Sequence, residues 1–304
     1  MKQIKVSSEL TVPSLAVGCM RMNTVSTKKA EELIKTAIEL GINFFDHADI
    51  YGGGECEEIF AKAIGMNPNI REKIILQSKC GIRKGFYDFS KEHIIHSVDG
   101  ILKRLNTDYL DVLLLHRPDA LVEPEEVADA FHQLRKSGKV NSFGVSNQNP
   151  MQIELLEKYI DEKLIFNQLQ LSVTNSTMIQ SGINVNMENK AAVNRDGSIL
   201  DYCRLKSITV QAWSPFQYGT FSGVFLNNDK FPELNAKINE IAKKYEVSNS
   251  AIAVAWIMRH PGNIQTILGT MNPDRLKSIT KASEITLTRE EWYEIYRSAG
   301  NKLP

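Results

Sequence analysis

Short apolar runs alternate along this chain with longer stretches in which apolar residues recur every three or four positions. The short runs are typical of buried strands in a parallel sheet, and the longer stretches have the period of amphipathic helices. The pattern predicts eight strands, which begin near residues 15, 42, 73, 111, 142, 164, 207 and 264. Before the first of them, two alternating segments at residues 3–6 and 9–12 predict a β-hairpin.

Helices are predicted after most of these strands. They cover residues 27–40, 55–64, 90–105, 124–136, 151–159, 232–245, 248–258, a stretch from 273, and 288–298. Eight strand–helix units joined by right-handed crossovers predict a single (β/α)8 TIM barrel domain over residues 1–304, with an N-terminal β-hairpin. A doubly wound open sheet is the alternative. Two polar stretches without a clear period, residues 172–206 and 216–230, predict long loops at the C-terminal face of the barrel.

The composition indicates which kinds of binding partner and which cellular compartment to expect. The chain holds 36 Lys and Arg residues against 36 Asp and Glu residues, a neutral balance that argues against nucleic acid or an anionic membrane. No apolar stretch has the length of a membrane span, and residues 1–10 lack the pattern of a signal peptide. Four well-separated cysteines without zinc-site spacing favour free thiols in a reducing compartment. We therefore expect a cytoplasmic protein, monomeric or weakly homo-oligomeric, that acts on a small molecule.

Four polar residues stand at or just after the ends of predicted strands: Asp46, Tyr51, Lys79 and His116. Each alone fits a structural role, such as a helix cap, a pocket wall, a solvated strand end or a core histidine. Because the carboxyl ends of barrel strands meet at one face, the four together predict a proton-transfer site. A lysine ammonium lowers the pKa of a neighbouring phenol, and a carboxylate keeps that lysine charged. An imidazole nearby can orient a carbonyl oxygen, to which the phenol would give its proton.

These residues stand in segments that resemble the aldo/keto reductase family. The segments are residues 41–52, 75–79 and 111–116, and all four polar positions carry the residue that the family has there. The resemblance extends over most of the chain and looks closest to a bacterial branch of uncharacterised oxidoreductases with a long loop after the sixth strand. It implies NADP(H)-dependent reduction of an aldehyde or ketone to an alcohol, with Tyr51 as general acid.

A cofactor must supply the hydride, because no side chain can donate one. The glycine fingerprint of dinucleotide-binding folds is absent from this chain. Gly52, Gly53 and Gly54 begin like one, but Glu57 stands where its last glycine belongs. A glycine triplet after a strand is typical of a flexible turn, so the barrel loops must hold any dinucleotide.

Amide and hydroxyl groups at adjacent strand ends can pair with a nicotinamide carboxamide. Ser146 and Asn147 close the fifth predicted strand and Gln168 lies in the sixth, although the first two could instead be turn residues that bond their own backbone. The resemblance assigns all three to the carboxamide and places Trp213 against the nicotinamide ring. It also implies cofactor contacts by Met20, Arg21, Ser214, Phe216 and Gly219.

The segment after the eighth strand is predicted to hold the adenosine end of the cofactor. Asn272 is a candidate helix N-cap and Pro273 suits a first turn, so a helix N-terminus opens there and can bind an anion. The resemblance places Thr270 and Arg275 against the 2′-phosphate of NADP. Gly269 stands where the family has a lysine, which leaves NAD as a weaker alternative.

Two other functions fit parts of the sequence. A regulatory barrel that binds the cofactor with little turnover would keep the same residues. A metal-dependent hydrolase would use His47 with Asp49, or His93 with His96, but no third ligand is evident and we expect no metal. Parts of residues 172–206 can wall the substrate pocket, together with three aromatic loop residues: Phe86, Tyr87 and Phe216. They favour an apolar or aromatic carbonyl substrate.

Overall fold

Eight parallel strands close into a barrel in the computed structural model, which describes residues 1–184, 198–219 and 222–301. The strands are β1 (Leu15–Gly18), β2 (Phe44–Asp46), β3 (Ile75–Cys80), β4 (Leu110–Leu115), β5 (Val140–Ser146), β6 (Leu164–Gln170), β7 (Thr209–Trp213) and β8 (Gln265–Leu268). Each strand pairs with the next along the chain, and β8 pairs with β1. The predicted (β/α)8 barrel is confirmed, and the open sheet is wrong.

Helices surround the barrel. Those that follow successive strands are α1 (Thr27–Glu39), α2 (Glu55–Ile64), α3 (Lys91–Leu105), α4 (Pro124–Lys136), α5 (Pro150–Glu157), α6 (Ile199–Lys206), α7 (Asn249–Met258) and α8 (Pro273–Thr280). Further helices of the described part are Pro68–Arg71, Thr177–Ile183, Pro232–Lys244 and Arg289–Ser298. Ser26, Ser90 and Ser248 each accept a backbone N–H three residues on, which satisfies a donor that the first helical turn leaves unpaired.

The N-terminal hairpin lies at the opposite end of the barrel from the predicted site. Its strands, Gln3–Lys5 and Thr11–Pro13, pair antiparallel with Ile4 opposite Val12. Both of these side chains are buried in an apolar cluster with strand residues such as Phe44. Because the hairpin ends just before β1 begins, it covers the N-terminal ends of the strands. The C-terminal ends are thereby left to form a site.

A larger apolar cluster fills the layer between strands and helices. Burial of each large apolar side chain contributes about 1.5–3 kcal/mol, so this layer supplies much of the stability of the fold. At its edge, Trp256 stacks on Trp292 with ring centroids 4.8 Å apart, and each indole N–H donates to the backbone carbonyl of the other residue. All four cysteines are buried and free, as the sequence predicts.

The polar stretch at residues 172–206 is not an irregular loop throughout. Its described part contains the helix Thr177–Ile183 and helix α6, so the expectation of an unstructured loop is wrong there. Residues 185–197 lie outside the described residues. Helices this short span about two turns, which is too little for a periodic pattern to stand out from the polar residues around it.

The sequence analysis also did not predict other short elements. A small hairpin, Ile82–Arg83 paired with Phe86–Tyr87, rises from the loop after β3. In the stretch at 216–230, Gln217 and Val224 form an isolated β-bridge, and residues 220–221 lie outside the described residues. Within the described ranges, no helix has the length and apolar character needed to cross a membrane.

Candidate active site

The four predicted proton-transfer residues lie together at the C-terminal end of the barrel. Asp46 is the last residue of β2, Lys79 lies one residue before the end of β3, and His116 directly follows β4. The Lys79 ammonium nitrogen is 2.7 Å from Asp46 Oδ1 and 3.2 Å from the Tyr51 hydroxyl oxygen. The Tyr51 and His116 rings meet edge to face, with their centroids 6.0 Å apart. Pairing of neighbouring strands brings these side chains to one place.

Lys79 is fully buried, and its ammonium group has a third partner in the backbone carbonyl of His47, at 2.7 Å. Burial acts to lower the pKa of Lys79. The charge of Asp46 and the Tyr51 hydroxyl outweigh that effect and raise the pKa above its ordinary 10.5. The site therefore holds a fixed positive charge directly beside a phenol.

The Tyr51 hydroxyl keeps its proton at neutral pH. Burial raises the pKa of Tyr51 above 10, and Lys79 only partly offsets this rise. The predicted effect of Lys79 is present, since its charge and its hydrogen bond both lower the pKa of Tyr51, but burial, which the sequence pattern does not record, has the larger effect. A protonated phenol beside a fixed cation remains a suitable acid, since the cation stabilises the phenolate once the proton leaves.

His116 is held neutral. Burial, followed by the charges of Lys79 and Arg117, lowers the pKa of His116 well below 6.5. Its Nδ1 atom is buried and has no hydrogen-bond partner among the described residues. A neutral imidazole offers one N–H donor and one acceptor, so His116 can hydrogen-bond a carbonyl oxygen without competing with Tyr51 as the acid.

A chain of buried glutamines supports Asp46 from inside the barrel. Asp46 Oδ1 accepts from Gln77 Nε2 at 2.6 Å and from Gln168 Nε2 at 3.1 Å. Both amides also donate to Gln211 Oε1, and Gln211 in turn donates to Gln265 Oε1 at 2.7 Å. Sequence reasoning missed Gln77, Gln211 and Gln265. The signal that could have found them is a glutamine inside an otherwise apolar strand, where a polar side chain needs a partner.

The turn that carries Tyr51 is anchored by a buried ion pair. Glu57 is fully buried, accepts from Ser78 Oγ at 2.8 Å and pairs with Arg104 Nε at 2.7 Å. The intervening residues 52–54 have φ values of 60°, 65° and 101°, a left-handed backbone that glycine adopts without strain. The glycine triplet is thus a turn into α2, and the carboxylate of Glu57 is occupied within the chain.

The residues predicted to hold the carboxamide lie at the adjacent ends of β5 and β6. Ser146 stands opposite Gln168 in the strand register, and its hydroxyl donates to the Gln168 carbonyl at 2.9 Å. Asn147 has a φ of 58°, and its amide donates to Ser146 Oγ at 2.7 Å. These polar residues lie at the ends of the two strands that follow β4, the strand before His116.

Aromatic side chains flank the mouth of the barrel. Trp213 is the last residue of β7, and Ser214 after it has a φ of 50°, which turns the chain sharply out of the strand. Phe216 packs against the core, and its carbonyl accepts the backbone N–H of Phe225 at 3.0 Å. Across the mouth, Phe86 in the small hairpin is 54% exposed. Two more of the predicted residues, Tyr87 in the hairpin and Gly219 beyond the bridge residue Gln217, lie in the same two loops.

A cavity of about 500 Å³ lies between the loops that follow β1 and β8. Arg21 and Lys29 line it on one side, and Thr270 and Arg275 line it on the other. The Arg21 guanidinium donates to the Gly269 carbonyl, and a Cβ atom built on Gly269 would lie 3.3 Å from Arg21 Nη2. Arg21 therefore fills the space that a side chain at position 269 would take.

The helix N-terminus predicted at the same place is present. Asn272 caps α8 by accepting the backbone N–H groups of Asp274 and Arg275 at 2.9 and 3.1 Å. The cavity thus has cations on both sides, with the carboxylates of Glu32 and Asp274 also in its lining, and the positive end of a helix dipole at its edge. Met20, which precedes Arg21, is 43% exposed at the same rim.

The histidines considered as metal ligands do not form a site. His47 is fully buried against the Phe60 ring, and burial followed by the charge of Lys79 lowers its pKa to about 3. His93 lies in α3, where Ser97 Oγ is 3.4 Å from its Nε2. Within the described ranges there is no group of three or more His, Cys, Asp or Glu residues able to hold a metal ion.

Two proteins are similar to this one over nearly their whole length. The uncharacterized oxidoreductase YcsN of Bacillus subtilis is 36% identical, with 100% of both chains covered. The 6-dehydroglucose reductase of Agrobacterium fabrum is 32% identical, with 99% of both chains covered.

Two solved structures have the same fold. The thermostable aldo-keto reductase Tm1743, in complex with the inhibitor epalrestat, has a TM-score of 0.79 and 26% identity, and the match covers 98% of this chain and 100% of that one. The aldo-keto reductase from Klebsiella pneumoniae in complex with NADPH has a TM-score of 0.79 and 22% identity, with 99% and 96% covered. The model of the aldo/keto reductase family matches residues 14–299. The protein is an oxidoreductase that belongs to the aldo/keto reductase family.

Proposed function

We propose that the protein reduces an aldehyde or ketone to an alcohol by hydride transfer from NADPH, with Tyr51 as the general acid. The observation that carries the proposal is the contact of the buried Lys79 ammonium with both the Tyr51 hydroxyl and Asp46, at 3.2 and 2.7 Å. In this arrangement the Lys79 ammonium is already in place to stabilise the phenolate that forms when Tyr51 gives up its proton. Family membership gives independent support, since the chain matches the family model over residues 14–299.

The proton comes from Tyr51. When bound, the reduced nicotinamide supplies the hydride to the carbonyl carbon, and negative charge then develops on the carbonyl oxygen. Tyr51 gives that oxygen its hydroxyl proton, which completes the alcohol and leaves a phenolate. The Lys79 ammonium, held by Asp46, stabilises the phenolate until solvent returns the proton. Since the pKa of Tyr51 lies above 10, the acid form is present throughout the neutral range.

His116 orients the substrate. Its imidazole is neutral because burial and the charges of Lys79 and Arg117 lower its pKa well below 6.5. Its edge-to-face contact with Tyr51 places both groups where one carbonyl oxygen can contact them. A neutral N–H donor polarises the carbonyl but keeps its own proton, so the transfer is left to Tyr51.

The strand ends fit the nicotinamide carboxamide. Gln168 uses its amide nitrogen on Asp46 and Gln211, which leaves its amide oxygen to accept from the carboxamide NH2. Asn147 has a second amide N–H to donate, and Ser146, whose own proton goes to the Gln168 carbonyl, holds Asn147 in place by accepting its first amide N–H. We assign the ring face to Trp213, and contacts along the rest of the cofactor to Met20, Ser214, Phe216 and Gly219.

The cavity at the rim fits the adenosine end and its 2′-phosphate. Arg275 and Arg21 can grip a phosphate with paired N–H donors, and the Thr270 hydroxyl adds another donor. Arg21 brings a cation to the Gly269 carbonyl, which offsets the absence of a charged side chain at position 269. We therefore favour NADP over NAD, which remains the weaker alternative.

Aromatic side chains flank the mouth of the barrel, and we propose that they wall a pocket for an apolar or aromatic carbonyl compound. Trp213 and Phe216 form one wall and the hairpin residues Phe86 and Tyr87 the other. We also propose a single domain, monomeric or weakly self-associating, in the cytoplasm, where a reducing environment suits four free buried cysteines.

The test is NADPH oxidation by the purified protein, followed by absorbance with a panel of aromatic aldehydes, ketones, quinones and 6-dehydroglucose. NADPH deuterated at the transferred position should leave one deuterium on the carbinol carbon of the product. Tight NADPH binding without turnover of any carbonyl would contradict the proposal and favour a regulatory barrel.

A further inference from the structure

Arg117 reaches across the mouth of the barrel. It follows His116 at the end of β4, and its guanidinium carbon lies 5.7 Å from the ring centroid of Trp213 at the end of β7. These strands lie nearly opposite each other in the barrel. The guanidinium therefore sits above the barrel interior, beside the imidazole proposed to orient the carbonyl and beside the ring proposed to stack on the nicotinamide.

The charge of Arg117 has no counter-ion among the residues described. The side chain is half-buried, and it forms neither an ion pair nor a hydrogen bond within that part of the chain. Asp119 is the acid nearest in sequence, but its two carboxylate oxygens accept the backbone N–H groups of Phe89 and Leu121 at 3.0 and 2.9 Å. A cation that is partly removed from water without an anion is costly unless a ligand supplies the anion.

Two other buried or partly buried arginines have the ion pair that Arg117 lacks, and Arg259, which has no ion pair within the described residues, donates to the Leu287 carbonyl at 2.7 Å. Arg71 pairs with Asp111 at 2.7 Å, and Arg104 pairs with Glu57 at 2.7 Å. Arg117 thus differs from these three in having neither an ion pair nor a hydrogen bond within the described residues, although it is half-buried. Its fixed fork of donors and its place against an aromatic ring suit a carboxylate carried on a flat substrate.

We infer that Arg117 selects substrates that carry an anionic oxygen group, such as a carboxylate, on the apolar or aromatic carbonyl compound. This inference rests on the proposed function of the same site. It makes Arg117 a specificity-determining residue: His116 and Tyr51 contact the carbonyl oxygen, and Arg117 binds the far end of the molecule.

The test compares 4-formylbenzoate with its uncharged methyl ester as substrates of the NADPH-loaded protein. A charge-assisted pair of hydrogen bonds predicts at least about a tenfold higher kcat/KM for the carboxylate. In Arg117→Met this preference should disappear, and in Arg117→Lys part of it should remain. Arg135→Met is the control, because Arg135 lies far from the site, in α4, and pairs with Glu9 of the N-terminal hairpin at 3.8 Å. It should keep the preference.

Binding of 4-(hydroxymethyl)benzoate and of its methyl ester to the NADPH complex, measured by calorimetry, gives a second readout that needs no turnover. Tighter binding of the carboxylate, lost in Arg117→Met, supports the inference even if no carbonyl is reduced, a result that would count against the proposed function alone. Turnover of both aldehydes with the same preference in the unmodified protein and in Arg117→Met would overturn the inference and leave the proposed function intact.

Discussion

The site is built around two kinds of cation, and they differ in where their partners come from. Lys79 is fully buried, and three groups of the chain itself surround its ammonium. Arg275 is exposed at the rim cavity, and its guanidinium has no ion pair within the described residues. The first site is complete before any ligand binds, as an electrostatically preorganised site must be. We propose that a ligand completes the second, so substitutions there should change binding and leave the fold unchanged.

The largest effect is expected for Lys79→Met. Removing the ammonium leaves Asp46 buried beside glutamines with no cation, and breaking such a pair costs about 3–5 kcal/mol of the free energy of unfolding. Tyr51 would also lose the charge that stabilises its phenolate, so we expect kcat to fall by about a thousandfold or more. Urea unfolding and NADPH turnover measure the two losses.

Lys35→Met is the control for this change, because Lys35 forms an ion pair with Glu31 on the exposed face of α1. It should alter neither stability nor turnover measurably. If Lys79→Met were as stable as the unmodified protein, the buried pair would not have the structural role given to it here.

A smaller effect, dependent on pH, is expected for Asp49→Asn in the same buried region. Burial, and then the charge of Glu57, raise the pKa of Asp49 from 3.8 to about 7, against the opposing charge of Arg104. Between these pH values the folded chain holds a proton that the unfolded chain has released. Stability is therefore lost as the pH rises from about 4 to 7, by up to about 4 kcal/mol at about 1.4 kcal/mol for each unit of pKa difference.

Asparagine cannot titrate, so Asp49→Asn should be more stable than the unmodified protein above pH 7 and similar to it near pH 4. Urea unfolding at several pH values measures the difference. A variant whose stability follows the same pH dependence as the unmodified protein would show that Asp49 does not hold a proton in the fold.

At the rim, Arg275→Ala should weaken NADPH binding about tenfold more than NADH binding. Only NADPH carries the 2′-phosphate, and a charge-assisted contact with a phosphate contributes about 1.5–3 kcal/mol. Titration of the fluorescence of each reduced cofactor gives the two dissociation constants, and unfolding should be unchanged. An equal loss of affinity for both cofactors would show that Arg275 does not bind the 2′-phosphate.

A lysine at position 269 should be able to replace Arg21 as the positive charge that, with Arg275, binds the 2′-phosphate. Arg21→Ala should weaken binding of 2′,5′-ADP severalfold, and the double variant Arg21→Ala with Gly269→Lys should recover it. The reason is spatial, since a side chain on Gly269 would enter the space that the Arg21 guanidinium now fills. A double variant as weak as Arg21→Ala would contradict this exchange.

The pattern of apolar and polar residues could predict those features of the site that depend on local sequence and on the pairing of adjacent strands. Asp46, Lys79 and His116 stand at the ends of their own strands, and barrel topology alone places those ends together. It could not predict contacts between distant strands. Gln77 and Gln211 meet although 134 residues separate them, and Arg117 contacts the ring of Trp213 from across the barrel.

The net direction of the Tyr51 pKa shift could not be predicted from the sequence either. The pKa depends on how completely side chains from several strands exclude water, which no local pattern records. The short helix Thr177–Ile183 was not predicted for a different reason: it lies in a stretch of polar residues without a visible helical period.

Tyr51→Phe tests the central claim most directly, because it removes one hydroxyl and leaves the proposed cofactor-binding residues in place. We expect carbonyl reduction to be lost, since Tyr51 is the proposed acid and the neutral His116 keeps its own proton, while NADPH affinity stays within about twofold of the unmodified protein. Both quantities can be measured on one preparation, by fluorescence titration and by NADPH oxidation with the same aldehyde. A Tyr51→Phe protein that reduces carbonyls at the unmodified rate would show that Tyr51 is not the acid.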